Sequence, residues 1–406
     1  MTTYLKLAWR NIWRNRRRTL ITVSAIVFAV LAAIVMQSMN RGSYEVMIDR
    51  MVSFTTGYLQ IQDYRYDDET SLDNAFFYDE ALREQVLAAD SRIVRVVPRL
   101  ETFMLAANDV STRGSLVFGI DPDKEEAFNQ ISSYLVEGRF PGADEHMVVL
   151  GSGLADRLQL GVGDTLALIG QGRFGMSASG LFEITGLIEH PIRDMNNSVV
   201  FLPIRPAQEL LSAEDHITGL LISIGQARQT NAVAAAVRQA LDDDELMVFT
   251  WPELMPELLE LMEMDLAVPR LLTLVLYVVI GFGFFGTVLT MTMERLREFG
   301  VLLSVGMKRA HLCGVLLVET LIISVMAVTA GILLSWGLLK LIDPIALSGD
   351  AAQAVEDMGF DPVIPMSFAP DQFFIQGLYV FLIALVVFLF PLVKILRLNI
   401  LEAARS

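Results

Sequence analysis

The sequence predicts an α-helical membrane protein with four transmembrane helices and a large α/β extracytoplasmic domain between helices 1 and 2. Four stretches are long and apolar: residues 19–39, 268–293, 312–341 and 372–393. About 20 helical residues rise about 30 Å, the thickness of a bilayer's hydrocarbon core. Residues 40–267 are far less apolar. A mean hydropathy of +0.48 over 406 residues agrees with a membrane protein that carries one large soluble domain.

The N-terminal segment, residues 1–18, predicts a basic amphipathic helix on the cytoplasmic membrane surface. Its apolar positions recur at helical spacing and its basic residues take the opposite face. The apolar residues are Leu5, Ala8, Trp9, Ile12 and Trp13, and the basic ones are Lys6, Arg10 and Arg14. A signal peptide is the alternative, but the apolar run is long and no A-x-A sequence follows it. An uncleaved first transmembrane helix at 19–39 is therefore favoured.

Residues 40–267 read as an α/β domain reached by two helical stalks, at about 38–54 and 251–269, in which apolar and charged residues mix. Between the stalks, alternating segments separated by Gly, Pro, Asp and Asn predict strands. The predicted strands are 58–62, 93–97, 102–106, 115–120, 147–150, 165–169, 181–188 and 219–224, and the predicted helices are 79–89, 153–160, 206–213 and 231–242.

Charge distribution predicts the orientation of the chain. Residues 1–18, 294–311 and 394–406 hold 13 Lys and Arg against three acids, although the whole chain has a net charge of −16. Positive loops stay in the cytoplasm, so both termini and the 294–311 segment are expected there. The loop 342–371 has no Lys or Arg and is expected outside. Nothing in this pattern points to nucleic acid.

The segment between the second and third transmembrane helices, residues 294–311, carries the sequence E-R-x-x-E-F-G-x-L-x-S-x-G. The pairs Glu294/Arg297 and Arg295/Glu298 favour a helix that continues past the membrane, and Gly300 is a predicted break before a short helix. This motif resembles the cytoplasmic loop of ABC-transporter permeases of the MacB, FtsX and LolC/LolE type, which implies a coupling helix that docks an ATPase. The residues to which the resemblance assigns this role are Glu294, Arg295, Glu298, Phe299, Gly300, Leu302, Gly306 and Lys308.

Three further stretches are similar to the same family. Residues 138–168, with a helix leading into the G-x-G-D turn at Gly161 to Asp164, resemble its periplasmic core domain, and Phe118-Gly-Ile-Asp-Pro122 fits the same pattern. The C-terminal sequence from Pro391 resembles the family's tail, although Asn399-Ile400 replaces the usual proline region.

The resemblance implies a permease subunit in the bacterial inner membrane that works with a separate cytoplasmic ABC ATPase, in which ATP and Mg would bind. It also implies a second permease chain, identical or homologous, membrane lipids as neighbours, and a periplasmic lipoprotein carrier or outer-membrane partner. The expected function is ATP-driven extraction or export of a lipoprotein or amphipathic lipid from the periplasmic side. Alternatives are an FtsX-like signalling subunit that activates a cell-wall hydrolase, and a MacB-like exporter of peptides or toxins.

Six methionines on the stalks and adjoining helix ends are candidate substrate contacts, because flexible thioethers suit a surface that accepts variable acyl chains. Ordinary packing between the stalks is the alternative. These residues are Met36, Met39, Met47, Met51, Met262 and Met264.

Motifs for chemistry are not convincing. Gly281-Phe-Gly283-Phe-Phe-Gly286 matches G-x-G-x-x-G only formally, since it lies in an apolar helix, where close packing of small residues is the better interpretation. No G-x-x-x-x-G-K-[ST] sequence occurs, Cys313 is the only cysteine, and the four histidines are scattered. We therefore expect no catalytic residue, no metal site, no cofactor and no enzyme activity of the chain's own.

Glu319 is the one ionisable residue deep inside a predicted span, about 10 Å from its cytoplasmic end. An isolated charge at that depth costs several kcal/mol. A functional coupling role, for instance through a basic residue of the N-terminal helix, stands beside a structural pair or simple snorkelling.

Overall fold

The computed structural model describes residues 2–14, 16–66, 70–241, 243, 245–350, 352–353 and 362–397. The chain forms two units. The helical unit comprises residues up to Val46, Glu260–Ala346 and residues from Val363 onwards, and the α/β unit comprises Met47–Leu259 and Leu347–Pro362. The family-like tail at 398–406 and the end of the predicted helix at Asp242 lie outside the described residues.

Both units contain helices. In chain order they are α1 (Thr2–Arg14), α2 (Arg16–Phe54), α3 (Glu80–Ala89), α4 (Pro122–Asn129), α5 (Ser152–Leu158), α6 (Arg193–Asn196), α7 (Ile204–Leu211), α8 (Thr230–Ala240), α9 (Trp251–Leu254), α10 (Pro256–Glu294), α11 (Leu296–Ser304), α12 (Arg309–Ile342) and α13 (Pro370–Leu396).

Four of these helices, α2, α10, α12 and α13, are long and apolar enough to cross a membrane, as the sequence predicts. Helices α2 and α10 have 39 residues each and are therefore about 58 Å long, about twice the hydrocarbon thickness. The first predicted stalk is thus continuous with α2. The second is continuous with α10 only from Pro256 onward, because residues 251–254 form the separate helix α9.

The helical unit packs around an apolar cluster to which α2, α10, α12 and α13 all contribute. At Gly331 a Cβ atom would lie 2.8 Å from Val30 Cγ1, so this glycine allows α12 to approach α2 closely. Gly283 and Gly286 differ, because a Cβ atom at either position would meet nothing within 4 Å in the described chain. At Gly281 a Cβ atom would lie 3.7 Å from Ile383 Cγ2, which is ordinary contact, so within this part of the chain neither Gly283 nor Gly286 makes the expected close packing.

The strands, in chain order, are β1 (Leu59–Asp63), β2 (Phe76–Phe77), β3 (Ile93–Ala107), β4 (Thr112–Ile120), β5 (Leu135–Gly138), β6 (Met147–Gly151), β7 (Thr165–Gln171), β8 (Ser177–Ile188), β9 (Val199–Pro203), β10 (His216–Ile217), β11 (Gly219–Ile224), β12 (Leu246–Thr250), β13 (Ile345–Ala346) and β14 (Val363–Ile364). Ten of them form one sheet in the order β12-β1-β11-β3-β4-β9-β6-β8-β5, and β7 pairs with both β3 and β8.

The double pairing of β7 closes part of this sheet into a six-stranded barrel, β3-β4-β9-β6-β8-β7. Pairs β4–β9 and β6–β8 are parallel and the others are antiparallel. Alternate side chains point inward, as the period of a strand requires, and Met104, Leu168 and Phe182 are among those that fill the core. The open part of the sheet, β12-β1-β11, is covered by α3 and α8 through a second apolar cluster.

Strand β3 corrects a sequence prediction. Two strands, 93–97 and 102–106, are expected on either side of Pro98, but Ile93–Ala107 is one strand. Pairing with β4 begins only at Arg99, which faces Ile120, so the missing N–H of Pro98 removes no bond to β4. The G-x-G-D turn is formed as predicted: Gly163 has φ +91°, and Asp164 Oδ2 accepts from the Gly161 N–H at 2.8 Å.

A buried ion pair lies where α2 ends, inside the α/β unit. Arg99 and Glu125 of α4 pair with side chains 1% and 0% exposed. The other side of the guanidinium donates to the carbonyls of Phe54 and Thr55, both at 2.8 Å. Arg99 therefore supplies donors to the end of a helix, where carbonyls have no intrahelical partner.

His190 packs against this end of α2, with its ring 4.9 Å from that of Phe54. Its Nδ1 accepts from the Ile192 N–H at 3.1 Å. Burial, together with the positive charge of Arg99, lowers the pKa of His190 to about 4. The imidazole is therefore neutral at ordinary pH.

Candidate ATPase-coupling site

The candidate coupling site is helix α11 with the residues that flank it. Helix α10 ends at Glu294 and α11 begins at Leu296, so the two are separated only by Arg295. Gly300 lies inside α11 and is buried, which contradicts the predicted break there. The stop is at Gly306, whose φ of +102° is the left-handed conformation that glycine adopts most readily.

Two hydrogen bonds identify this stop as a Schellman motif: Gly306 N–H donates to Leu303 O at 3.1 Å, and Met307 N–H donates to Leu302 O at 3.0 Å. These bonds satisfy carbonyls that the end of α11 would otherwise leave unpaired. The C-terminal end of the short helix is therefore defined by its own sequence.

The inner face of α11 packs against its own chain. Phe299 and Leu303 are buried in a cluster with Leu312, Cys313 and Leu316 of α12 and Phe388 and Ile395 of α13. Phe299 and Gly300, two of the residues assigned to ATPase contact by resemblance, therefore face inward. In this arrangement Phe299 packs α11 against α12 and α13, and contact of either residue with an ATPase stays a prediction.

The outer face of α11 exposes apolar side chains. Val301, Leu302 and Val305 are 52%, 39% and 82% exposed, and Lys308 beside them is exposed as well. Apolar side chains grouped on a polar surface are typical of protein-binding sites. Val301 and Val305 were not among the assigned coupling residues, although their spacing on a short helix gives the signal.

Arg295, between the two helices, makes a buried ion pair with Glu319 of α12. Its Nη1 lies 3.0 and 2.9 Å from the two carboxylate oxygens, and both side chains are 4% exposed. Its Nη2 donates to the carbonyl of Asn11 in α1 at 3.2 Å. The carboxylate deep in the predicted span is thus paired, and its partner is Arg295 of the segment between α10 and α11. A coupling role for Glu319 stays a prediction.

The N-terminal helix reaches α11 directly. Arg14 donates to both carboxylate oxygens of Glu298 at 2.8 Å, although the two residues are 284 positions apart. Arg295 and Glu298 therefore bind distant partners, Glu319 and Arg14, rather than each other as the i, i+3 spacing predicts. The basic face of α1 contributes to the coupling site, which sequence spacing alone does not reveal.

The six candidate methionines lie in long helices but divide between the units. Met36 and Met39 of α2 and Met262 and Met264 of α10 belong to the helical unit, whereas Met47 and Met51 belong to the α/β unit. Met264 is 73% exposed and the other five are partly buried. Substrate contact by these residues remains a prediction.

Two family models match consecutive parts of this chain. The MacB-like periplasmic core domain matches residues 19–240, and the FtsX-like permease C-terminal domain matches residues 270–400. The chain belongs to this family of ABC-transporter permeases. Its fold is that of the family, four apolar helices with a MacB-like α/β domain between the first and the second.

Among curated proteins, the chain is similar to LolC, the transmembrane protein of the lipoprotein-releasing system of Neisseria meningitidis serogroup B, with 23% identity over 78% of this chain and 77% of LolC. It is 22% identical to the macrolide export ATP-binding/permease protein MacB of Nitrobacter winogradskyi, over 79% of this chain and 50% of MacB. It is 24% identical to the pyoverdine export ATP-binding/permease protein PvdT of Pseudomonas fluorescens, over 86% of this chain and 53% of PvdT. The match thus spans about half the length of MacB and PvdT.

Two solved structures resemble part of the chain. The extracellular domain of YknZ, an ABC-type transporter from Gram-positive bacteria, aligns with 47% of the chain and 99% of its own length at 14% identity and a TM-score of 0.34. The periplasmic region of MacB from Actinobacillus actinomycetemcomitans aligns with 53% of the chain and 98% of its own length at 12% identity and a TM-score of 0.36.

Proposed function

We propose that this chain is the permease subunit of an ABC transporter that couples ATP hydrolysis by a separate cytoplasmic ATPase to extraction of a lipoprotein or amphipathic lipid from the periplasmic side of the inner membrane. One observation carries the proposal: α11 exposes Val301, Leu302 and Val305 while its inner face is packed against α12 and α13. A short helix that is packed on one face and exposes apolar side chains on the other is suited to bind in a groove of a partner protein.

In this proposal, ATP and Mg²⁺ bind to the partner ATPase, and this chain has no enzyme activity. The basic segments 1–18 and 294–311 and the tail from Lys394 face the cytoplasm, in line with the positive-inside rule. A second permease chain, identical or homologous, completes the transporter. Movement of α11 would reach α12 through the Arg295–Glu319 pair and α1 through Arg14 and Glu298.

The choice of cargo is supported by LolC, 77% of whose length the match covers and whose name refers to lipoprotein release. A periplasmic carrier or outer-membrane partner would then receive the cargo. The similarity to MacB and PvdT supports a second candidate, export of a small amphipathic compound or peptide. An FtsX-like role, activation of a cell-wall hydrolase, is the third.

Docking on α11 is testable with single cysteines. Cys313 is buried and is the only cysteine, so Cys313→Ser provides a cysteine-free background for Val305→Cys. In permeabilised membranes, a maleimide reagent should label Val305→Cys. Co-expression of the cognate ATPase should reduce this labelling at least fivefold. Phe299→Cys, on the buried face, is the matched control and should label poorly with or without the ATPase. Unchanged labelling of Val305→Cys in the presence of the ATPase would refute docking at α11.

The cargo is tested by purifying the chain from its native membrane in nanodiscs and identifying co-purifying proteins and lipids by mass spectrometry. An ATPase together with a lipoprotein or lipid supports the release function. An ATPase with a cell-wall hydrolase and no lipid supports signalling, and an ATPase with an outer-membrane duct supports export. Absence of any ATPase would contradict all three.

A further inference from the structure

The α/β unit contains a half-open cavity of about 460 Å³ beside the C-terminal ends of α2 and α9. Its wall is one face of strands β1, β3 and β4, which project Gln60 and Gln62, then Glu101 and Phe103, then Leu116 and Phe118 into it. Thr55 and Leu254 close it from the two helix ends. The sheet and the ends of α2 and α9 therefore form the cavity together.

The outer face of β3 changes character along its length. Arg99 is fully buried by α4, Glu101 two residues on lines the cavity, and Phe103 two residues further is 64% exposed. Period-2 alternation places these three side chains on the same face. One strand thus presents a buried cation, a partly buried carboxylate and an open apolar surface in sequence.

At the polar end of the cavity, the hydroxyls of Thr55, Thr56 and Tyr66 donate to backbone carbonyls, and two side-chain acceptors, on Glu101 and Gln62, are poorly supplied with donors. Arg99 approaches Glu101 only at 3.8 Å, since its short contacts are with Glu125 and the carbonyls of Phe54 and Thr55. Among the described residues, the buried Gln62 Oε1 has no hydrogen-bond partner. A buried acceptor without a donor destabilises the fold, and a ligand that supplies the donor recovers that loss. Burial also raises the pKa of Glu101, although Arg99 opposes the shift.

The apolar end of the cavity continues into an exposed strip on the outside of the barrel. Phe103 faces Leu116 across β3 and β4, and Leu105 faces Ile169 across β3 and β7. Leu181 of β8 extends the strip beside Ala167. Each of these five large apolar side chains is between 39% and 74% exposed. A contiguous apolar surface that opens from a polar cavity is suited to a molecule with one polar end.

We infer that this cavity binds the polar end of an amphipathic molecule that carries an N–H donor, as an ammonium or an amide, with the apolar chain of that molecule lying along Phe103, Leu116, Leu105 and Ile169. Gln62 and Glu101 accept the hydrogen bonds. An anionic head group is disfavoured, because the carboxylate and the unpaired amide oxygen would both repel it. The site lies wholly within the α/β unit, and its role as a station for cargo rests on the proposed function.

Binding is tested on the full chain in nanodiscs with short, water-soluble probes. A solvent-sensitive fluorophore is attached at Thr70→Cys in the Cys313→Ser background, because Thr70 lines the cavity and is exposed. Octylamine and N-methyloctanamide should each bind at least tenfold more tightly than octyl sulfate. Equal affinities for the three probes would overturn the assignment, because a nonspecific apolar surface does not distinguish head groups.

Two variants test the two ends of the site. Glu101→Gln keeps the side-chain volume and should weaken octylamine binding at least fivefold while leaving octyl sulfate binding unchanged or tighter. Phe103→Ser, at an exposed position that does not hold the fold, should weaken all amine and amide probes with octyl chains. Glu209→Gln, an exposed carboxylate on α7 paired with His146, is the control and should change nothing. Unchanged probe affinity in both Glu101→Gln and Phe103→Ser would refute the site.

This binding assay contains no ATPase and measures no transport. Failure of head-group selectivity would therefore refute the cavity and leave the proposed function intact. Loss of ATPase docking at Val305 with selectivity preserved would refute the proposed function and leave the cavity as a ligand site.

Discussion

Each unit contains a buried arginine–glutamate pair, and the two pairs differ in how completely the hydrogen-bonding groups of the arginine are satisfied. In the α/β unit, Arg99 pairs with Glu125 and also donates to Phe54 O and Thr55 O. In the helical unit, Arg295 pairs with Glu319 and donates to one carbonyl, that of Asn11. Among the described residues Arg295 Nε has no partner, whereas Arg99 Nε lies 3.4 Å from Glu125 Oε2.

The difference indicates how firmly each ion pair holds the chain segments that it connects. We call these two places joints: Arg99 with Glu125 and the end of α2, and Arg295 with Glu319 and α1. A buried ion pair is secure only when its remaining donors and acceptors are also satisfied. Arg99 meets this condition and fixes the end of α2. Arg295 meets it only in part, at the place where the proposed coupling helix must move. We therefore expect the first joint to behave as a rigid connection and the second to have an accessible alternative arrangement.

The largest expected effect is at the rigid joint. Arg99→Leu leaves Glu125 buried without its ion-pair partner and removes the donors to Phe54 O and Thr55 O, so the α/β unit should lose about 3–5 kcal/mol of stability. Hydrogen exchange of β3 amides in the full-length protein in nanodiscs measures the loss. Arg139→Leu breaks an exposed pair with Glu145 and, as the control, should leave the exchange of the β3 amides almost unchanged, because exposed ion pairs contribute little to stability. A loss below 1 kcal/mol for Arg99→Leu would show that this pair secures nothing.

Double replacements compare the two joints directly. Glu319→Gln or Arg295→Met alone should destabilise the helical unit by about 3 kcal/mol, because each leaves a buried polar group unpaired. Arg295→Met with Glu319→Met should recover most of that loss, since only the half-buried Asn11 carbonyl loses a donor. Arg99→Met with Glu125→Met should recover less, because two carbonyls at the end of α2 remain without a donor.

Thermal unfolding followed through maleimide reaction of the buried Cys313 measures the helical unit, and hydrogen exchange measures the α/β unit. Equal recovery in the two double variants would remove the distinction between the joints. Full recovery at Arg99 and none at Arg295 would reverse it.

His190 makes the stability of the rigid joint depend on pH. Its pKa is about 4 in the folded protein and about 6.5 when exposed, so the unfolded chain binds the extra proton between these values. Stability is therefore fully present above pH 6.5 and falls as the pH drops towards 4, by about 2–3 kcal/mol at pH 4.5. His190→Gln should flatten this part of the pH profile of β3 hydrogen exchange. The exposed His146 is the control, and His146→Gln should leave the slope unchanged.

The smallest expected effect on stability is at Arg14. Both side chains of its pair with Glu298 are exposed, so Arg14→Ala should lower the stability of the helical unit by no more than about 1 kcal/mol. If α1 positions α11, the same variant should nevertheless raise maleimide labelling at Val305→Cys in the presence of the ATPase. Arg10→Ala, from the same basic helix, is the control. Identical labelling in the two variants would limit the role of Arg14 to a surface contact.

Much of the architecture follows from local sequence patterns. The four apolar helices depend on hydropathy over about 20 residues, and the G-x-G-D turn depends on neighbours within four positions, so both are visible in the sequence. The helix break predicted at Gly300, before the short helix, is wrong: α11 runs through Gly300 and stops before Gly306, and either glycine could interrupt a helix. Burial of Gly300 against the chain decided between them.

The coupling site was located by its motif, but the orientation of its residues was not. Phe299 belongs to the motif and faces inward, whereas Val301 and Val305 face outward. A nine-residue helix has apolar residues on more than one side, and only packing by α12 and α13 determines which side is covered.

The sequence by itself determined the number of long apolar helices, the α/β character of the domain between the first two, and the position of the charged coupling segment, because each depends on composition or on spacing within a few turns. The tertiary structure decided which charges pair, since Arg14 and Glu298 lie 284 positions apart and local spacing favours other partners. It also decided that β7 closes a barrel and that a cavity opens beside Glu101. These features arise from contacts between distant segments, which no local pattern encodes.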